Sequence, residues 1–413
     1  MRIAHICGFG WQPKGTVRFR AFPLAAALVA AGHEVTIFLT PYDHREDEGK
    51  EYRHEGVRVA NMLLGKAPIL RHISACYSLC RETIRYDPDV IHVFKPKGYA
   101  GAALTYLMAT GRRRLVLDCD DWEGWGGWND VKAYPRVVKE WIDLQEKWLI
   151  RHSPCVTVAS RVLEARAVEL RRSSAKVFYL PNAGTSAGGR EIRDRVLAMD
   201  PEGIRKSFGL PSGDLILYAG HFEAADNGMF FSRAAASVAR EWGATILIVG
   251  DGPELPAVRD FFSAQQGVDA RFFGSLPYEK FLALVCIADI AAYPYRDDAI
   301  HRAKCSARII DYMAMGRAVV TTAVGENNEY LRDGLRGILV PPDDEVGFGL
   351  ALTTLLRDRN LRSFLGENAR RYVEESLWSS HTSIDTCLAA YTAALSANES
   401  SPRVARREQV RPW

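Results

Sequence analysis

Short apolar, β-branched runs alternate with segments of helical period along most of the chain, the pattern of parallel sheets joined by crossover helices. A first series reads "RIAHIC", "EVTIFLT", "VRVANML", "VIHVF", "RLVLDCD", "CVTVAS" and "VFYLPN", with helical patterns over 17–31, 98–110 and 136–152. After Asn182 come "AGTSAGGR", a charged stretch and "GLPSGD", whose Gly, Ser and Pro mark an interdomain connection. A second series follows as "LILYAG", "ATILIVG", "ARFFG", "IAAYP", "AVVTT" and "GILVP". The pattern predicts an α/β protein of two Rossmann-like, doubly wound parallel-sheet domains facing a cleft. The first takes residues 1–182, a linker 183–212 and the second 213–369; a helical segment over 370–395 and a polar, basic tail at 397–413, expected to be disordered, complete the chain.

Composition narrows the function. The 413 residues are 47% hydrophobic and 25% charged, as in a soluble globular protein. No run approaches the ~18 apolar residues of a membrane span, and "MRIAHICGFG" reads as a buried first strand rather than a leader. A net charge of +3 is too small for a nucleic-acid partner and fits a local anion site. The eight cysteines show neither CxxC pairs nor zinc spacing, so they read as reduced thiols of a cytoplasmic protein, with no metal site.

Ligands of doubly wound sheets bind beyond the carboxyl ends of the strands, so the loops there carry the candidate chemistry. In the second series these are Gly220-His221, Gly250-Asp251-Gly252 and Gly274-Ser275-Leu276. One such loop is most simply a strand-to-helix turn, but three in register favour a nucleotide site. The stretch "HRAKCSARIIDYMAMG" follows "IAAYP". A helix from about Lys304 would set Lys304, Arg308 and Asp311 at i, i+4 and i+7 on one face. Cations at a helix N-terminus oppose its dipole unless an anion is bound, so Arg302, Lys304, Arg308 and the first-turn amides are read as receiving a diphosphate. Asp311 would accept from ribose hydroxyls. The plainer alternative is a solvated face with an Arg308–Asp311 pair worth ~0.3 kcal/mol.

In the first domain, the glycines of "GFGWQPKGTVRFR" miss the G-x-G-x-x-G spacing, which argues against NAD, while Gly15-Thr16 beside Lys14, Arg18 and Arg20 suits phosphate contact. In "LVLDCDDWEGWGGWND", Asp118, Asp120 and Asp121 end a strand ahead of Trp122, Trp125 and Trp128. A carboxylate there would bond sugar hydroxyls or act as a base, and the rings would stack on a sugar; Asp120 is preferred over capping roles for its neighbours. Asp118-Cys119-Asp120 formally matches D-x-D, a match too short to argue for metal. Lys95 lies just past "VIHVF" and faces the cleft, whereas His92 reads as a core residue and Lys97 as solvated.

Taken together, "LAAALVAAGHEVTIFLTP", "DPDVIHVFKP", "VFYLPNAG", "LILYAGHFEAADNG", "ATILIVGDGPEL", "RAKCSARIIDYMAMGRAVVTT" and "GENNEYLRDGLRGILVPPDD" resemble the family 4 glycosyltransferases of GT-B fold over nearly the whole chain. The resemblance implies sugar transfer from a nucleotide sugar to a glycan or glycolipid acceptor with retention, without a cofactor or obligatory metal. It implies a donor site in the second domain, an acceptor site in the first, and a terminal helix crossing back to the first. It places the family's ribose-contacting glutamate on Asp311, the earlier glutamate of E-x7-E on Ala303, its diphosphate-binding Arg and Lys on His221 and Asn227, and a cleft histidine on Asp120. Arg302, Lys304 and Arg308 then compensate for cations absent at 221 and 227. Cell-envelope polysaccharide or glycolipid synthesis follows as the setting; Arg18, Arg20, Arg112–Arg114 and the basic tail read either as a solvated surface or as a peripheral contact with anionic lipid at the inner membrane face. Two alternatives remain: a non-catalytic nucleotide-sugar or glycan-binding module, and a nucleotide-sugar epimerase or hydrolase.

Overall fold

The computed structural model describes residues 1–11, 15–65, 68–183, 185–223, 227–378 and 380–396, so the tail read as disordered lies outside the described residues. Eight strands form the first sheet in the order β3-β4-β2-β1-β5-β6-β7-β8. They are β1 (Arg2–Cys7), β2 (Glu34–Leu39), β3 (Glu51–His54), β4 (Val57–Asn61), β5 (Val90–Phe94), β6 (Leu115–Cys119), β7 (Cys155–Val158) and β8 (Val177–Tyr179). Only β3 runs antiparallel, and it is exposed along its length, which hid it from the apolar pattern. The second sheet is parallel throughout, in the order β11-β10-β9-β12-β13-β14. Its strands are β9 (Leu215–Ala219), β10 (Thr245–Val249), β11 (Asp269–Phe272), β12 (Ile290–Ala292), β13 (Ala318–Thr322) and β14 (Ile338–Val340).

Helices cover both faces of each sheet, which is why most of these strands read as unbroken apolar runs. In the first domain, α1 (Phe22–Ala30) follows a π-helical turn, Val17–Ala21; α2 (Pro68–Tyr86), α3 (Gly98–Ala109), α4 (Trp128–Val131), α5 (Arg136–His152) and α6 (Arg161–Arg171) complete the set. The 183–212 segment carries two helices, α7 (Ala187–Leu197) and α8 (Pro201–Ser207), which start at the caps Ser186 and Asp200. The second domain adds α9 (Gly228–Trp242), α10 (Leu255–Ser263), α11 (Tyr278–Ile287), α12 (Ala299–Ala303), α13 (Ala307–Ala314), α14 (Asn327–Leu331), α15 (Glu345–Arg357) and α16 (Arg359–Tyr372).

The chain then turns through a second π-helical segment, Val373–Leu377, into α17 (Ser380–Ser396), which packs on β5–β8 of the first sheet. Its buried Ile384, Cys387, Tyr391 and Ala394 form one helical stripe. Beneath it, the period-2 face of the sheet carries polar residues: His5 pairs with His92 in register, and Asp118 with Thr157. The Tyr391 hydroxyl lies 3.2 Å from His5 Nε2 and 3.0 Å from His92 Nδ1, and His92 Nε2 lies 3.1 Å from Thr157 Oγ1. Burial, with Arg20 adding to it, lowers His92 to about 3, so this ring is neutral. His92 is thus the core histidine that its place within an apolar strand suggests.

Candidate active site

The carboxyl ends of both sheets open on the cleft between the domains. On the first-domain wall, Lys95 has φ 72°, a left-handed conformation costly for a side chain with a Cβ. It lets the ammonium turn back over the end of β6, where it meets Asp121 at 2.5 Å, Glu123 at 2.9 Å and Asp120 at 3.1 Å. Lys97 also pairs with Glu123 and is therefore not the solvated lysine expected from its position. Burial pushes Glu123 upward, but Lys95 and Lys97 outweigh it and hold the carboxyl at about 2; Asp121 ends up raised, burial winning over Lys95. Asp120 Oδ1 is buried and, although 3.1 Å from the Lys95 ammonium, lies outside hydrogen-bond geometry, so the ion pair with Lys95 is its compensation there.

The three tryptophans are already engaged by cations of their own domain. Arg166 lies 4.0 Å over Trp122, Lys139 5.6 Å from the Trp125 ring and Lys132 4.9 Å from Trp128. The loop is held by carboxylates of α5: Glu146 accepts from the amides of Glu123 and Gly124, and Asp143 from that of Trp125. Gly15 is exposed, and Thr16 leads into the π-helical turn without bonding its amides. That turn aims Arg20 inward. Its guanidinium grips Asp118 through two 2.6 Å bonds and donates to the Leu180 carbonyl and Asn182 Oδ1. Asp118 is thereby committed to a buried ion pair, and Arg20 is no surface cation for lipid.

On the second-domain wall the expected helix from Lys304 is corrected. The chain forms α12, breaks over Lys304-Cys305-Ser306 and restarts as α13, because the Ser306 side chain accepts from the Ile309 amide and caps a new helix. Lys304 therefore precedes the helix, with its ammonium 5.6 and 5.4 Å from the Tyr293 and Tyr295 rings. Arg302 is exposed and paired with Asp297 at 2.5 Å. Arg308 packs 4.5 Å over Phe281. Arg308 and Asp311 do share α13, but the three cations do not crowd one helix start, which removes the dipole argument for an anion there. Asp311 accepts from Tyr278 Oη at 2.9 Å. Burial raises its carboxyl to about 6 against the opposing pull of Arg308, Tyr278 and Arg18. Ala303 is fully buried.

The three glycine loops meet one another. A Cβ on Gly250, at φ +122°, would lie 1.8 Å from the Gly220 carbonyl oxygen, and the Gly250 amide donates to the Gly274 carbonyl at 2.7 Å. These glycines first let three turns stack backbone to backbone. The resulting ledge, with His221, Asp251 and Ser275 exposed and Gly252 and Leu276 half-buried, sits past the ends of β9–β11.

Asn182 and Glu326, which sequence reading did not single out, join the two walls together with Arg18, which it read as a phosphate or lipid contact. Asn182 donates from Nδ2 to the Cys305 carbonyl at 2.7 Å and from its amide to Cys305 Sγ at 3.1 Å, tying Arg20 to the α12–α13 break. Glu326, buried at the start of α14, accepts from the Arg161 amide at 2.6 Å and from the Tyr179 hydroxyl at 2.7 Å. Arg18 lies 5.3 Å over Tyr278, itself bonded to Asp311. Asn182 and Glu326 both fall in segments used for the family resemblance, which was the one signal pointing at them. Their pairing spans more than a hundred residues and has no local periodic signature.

The chain matches two family descriptions, "Glycosyl transferase 4-like domain" over residues 15–183 and "Glycosyl transferases group 1" over residues 213–358. It is 27% identical over 229 residues to the alpha-D-kanosaminyltransferase of Streptomyces kanamyceticus, covering 54% of this chain and 57% of that one. It is 25% identical over 385 residues to the phosphatidyl-myo-inositol mannosyltransferase of Mycolicibacterium smegmatis, covering 92% and 91%. The fold superposes on the sucrose-phosphate synthase of Thermosynechococcus elongatus with a TM-score of 0.73 at 19% identity, covering 97% of this chain and 100% of that one. The chain belongs to the family 4 glycosyltransferases of GT-B fold.

Proposed function

We propose that this glycosyltransferase takes a sugar from a nucleotide-sugar donor and passes it, with retention of anomeric configuration, to a glycan or glycolipid acceptor in cell-envelope polysaccharide or glycolipid synthesis, working as a cytoplasmic, peripheral membrane protein. The observation that carries the reading is the bridge between the walls: Arg20 grips Asp118 at the end of β6 and bonds Asn182, which in turn bonds Cys305 at the α12–α13 break beside Lys304. Asp311 receives the ribose hydroxyls. Lys304, Arg308 and the first amides of α13 face the diphosphate, and the ledge Gly220-His221, Gly250-Asp251-Gly252 and Gly274-Ser275-Leu276 lies under the nucleotide.

Catalysis on this reading is electrostatic and positional. As the bond from the anomeric carbon to the diphosphate oxygen breaks, charge grows on the leaving group, and preplaced cations stabilise it without reorganisation. The chain's own cations serve the diphosphate, so the reading calls on no cofactor. On the acceptor side, Asp120 accepts from a sugar hydroxyl and Lys95 gathers Asp120, Asp121 and Glu123 around its ammonium, with Gly15-Thr16 at the rim. Replacing Lys304 with alanine should lower kcat roughly 100-fold, the size typical of removing one transition-state donor. Unchanged turnover and donor affinity in that variant would overturn the phosphate assignment.

A further inference from the structure

One helix of the first domain is apolar on two faces. The inner face of α5 buries Ile142, Leu149 and Ile150, as a crossover helix must. Its outer face carries Val137, Trp141, Leu144 and Trp148 at steps of four, three and four, 79%, 58%, 59% and 40% exposed. α3 packs between α2 and α5, so the three helices form one layer on the sheet. Ile73 and Tyr77 of α2 and Tyr106 of α3 are likewise exposed, around an apolar cavity of about 420 Å³. Scattered apolar residues on a surface need no explanation, but a contiguous stripe with two tryptophans does.

We infer that the outer face of the α2–α3–α5 layer docks on an anionic lipid surface. Indole and phenol rings beside basic side chains suit the headgroup boundary, where the ring enters the acyl edge and the cation meets phosphate. The charges beside the stripe are complementary to such a surface. Arg136 and Lys147, paired with Glu140 and Asp143, and Arg151 lie on α5, and Arg112, Arg113 and Arg114 follow α3, while Glu140 is the one exposed acid of α5. A second copy meeting this face would bring like charges together, which disfavours a dimer here. The layer also begins at the loops that hold Lys95 and Asp120, so docking turns the acceptor side of the cleft toward the bilayer. The inference names the surface behind the membrane contact proposed above and rests on that reading only for the acceptor's chemistry.

The test is co-sedimentation with vesicles of pure phosphatidylcholine and of equimolar phosphatidylcholine and phosphatidylglycerol, read without any sugar transfer. The wild-type chain should bind the anionic vesicles, less at high salt and less to the neutral ones. The Trp141→Ser, Leu144→Ser, Trp148→Ser triple variant should lose about tenfold in binding, and the Arg112→Glu, Arg113→Glu, Arg114→Glu variant should lose the preference for phosphatidylglycerol. All of these side chains are exposed except Arg112, which is half-buried, so circular dichroism and melting temperature should stay near wild-type values. Wild-type chain that fails to sediment with anionic vesicles, or a folded triple variant that sediments as well as wild type, overturns the proposal. A wild-type dimer that the triple variant dissociates assigns the face to a second copy and overturns it equally.

Discussion

Burial lifts the Asp311 carboxyl to about 6, although Arg308, Tyr278 and Arg18 all pull the other way. An ionised Asp311 accepts hydrogen bonds from a ribose, whereas the neutral acid gives up part of that capacity. Donor affinity should therefore hold above about pH 6 and weaken as pH falls through that value. Titration calorimetry with the nucleotide across this range should show the acid limb in wild type and none in Asp311→Asn; an unchanged limb in the variant would remove Asp311 from the site. Arg20 carries a different prediction. Arg20→Met leaves the fully buried Asp118 without its cation, and breaking a buried pair from one side costs roughly 3–5 kcal/mol. Urea unfolding of that variant measures the loss. The sequence displayed Arg20 only as one of several cations near Gly15, because the π-helical turn that rotates it into the core has no sequence mark of its own.

Among the elements, the parallel strands were the most legible. A strand buried on both faces shows as a continuous apolar run, whereas β3, with every residue exposed, shows nothing. The helix at 304 was misplaced because i, i+4 spacing says which residues could share a face but not where the helix starts. Ser306, a residue that favours the N-cap, decided that. Gly and Ser mark a connection after Asn182, and the same glycines hide the two capped helices it carries. α17 tests how an element placed far along the chain completes the first domain. Tyr391→Phe removes the hydroxyl shared by two buried histidines, leaving ring nitrogens unsatisfied at roughly 1–3 kcal/mol. The loss should appear as faster amide exchange in β1 and β5, and protection identical to wild type would mean that the helix is held by apolar burial alone.

At the scale of the molecule, two chain crossings join the domains at one place: Trp378 donates from Nε1 to the Ala183 carbonyl, and Arg193 lies 4.5 Å over the same indole. With Glu326 docked on the start of α6 and Asn182 on the α12–α13 break, the cleft walls are positioned by polar contacts between domains beside a buried apolar cluster that includes residues of both. This level was legible only through resemblance, since no periodicity reports a contact between residues 161 and 326. The central claim is that the two walls act together to move a sugar. It is tested most directly by incubating the purified chain with a panel of nucleotide sugars, with and without a glycolipid extract, and measuring released nucleotide against glycosylated product. The account predicts nucleotide and product in equal amounts, dependent on acceptor, with the donor's anomeric configuration kept. Donor that binds without nucleotide release, or is consumed equally fast with no acceptor present, would contradict it.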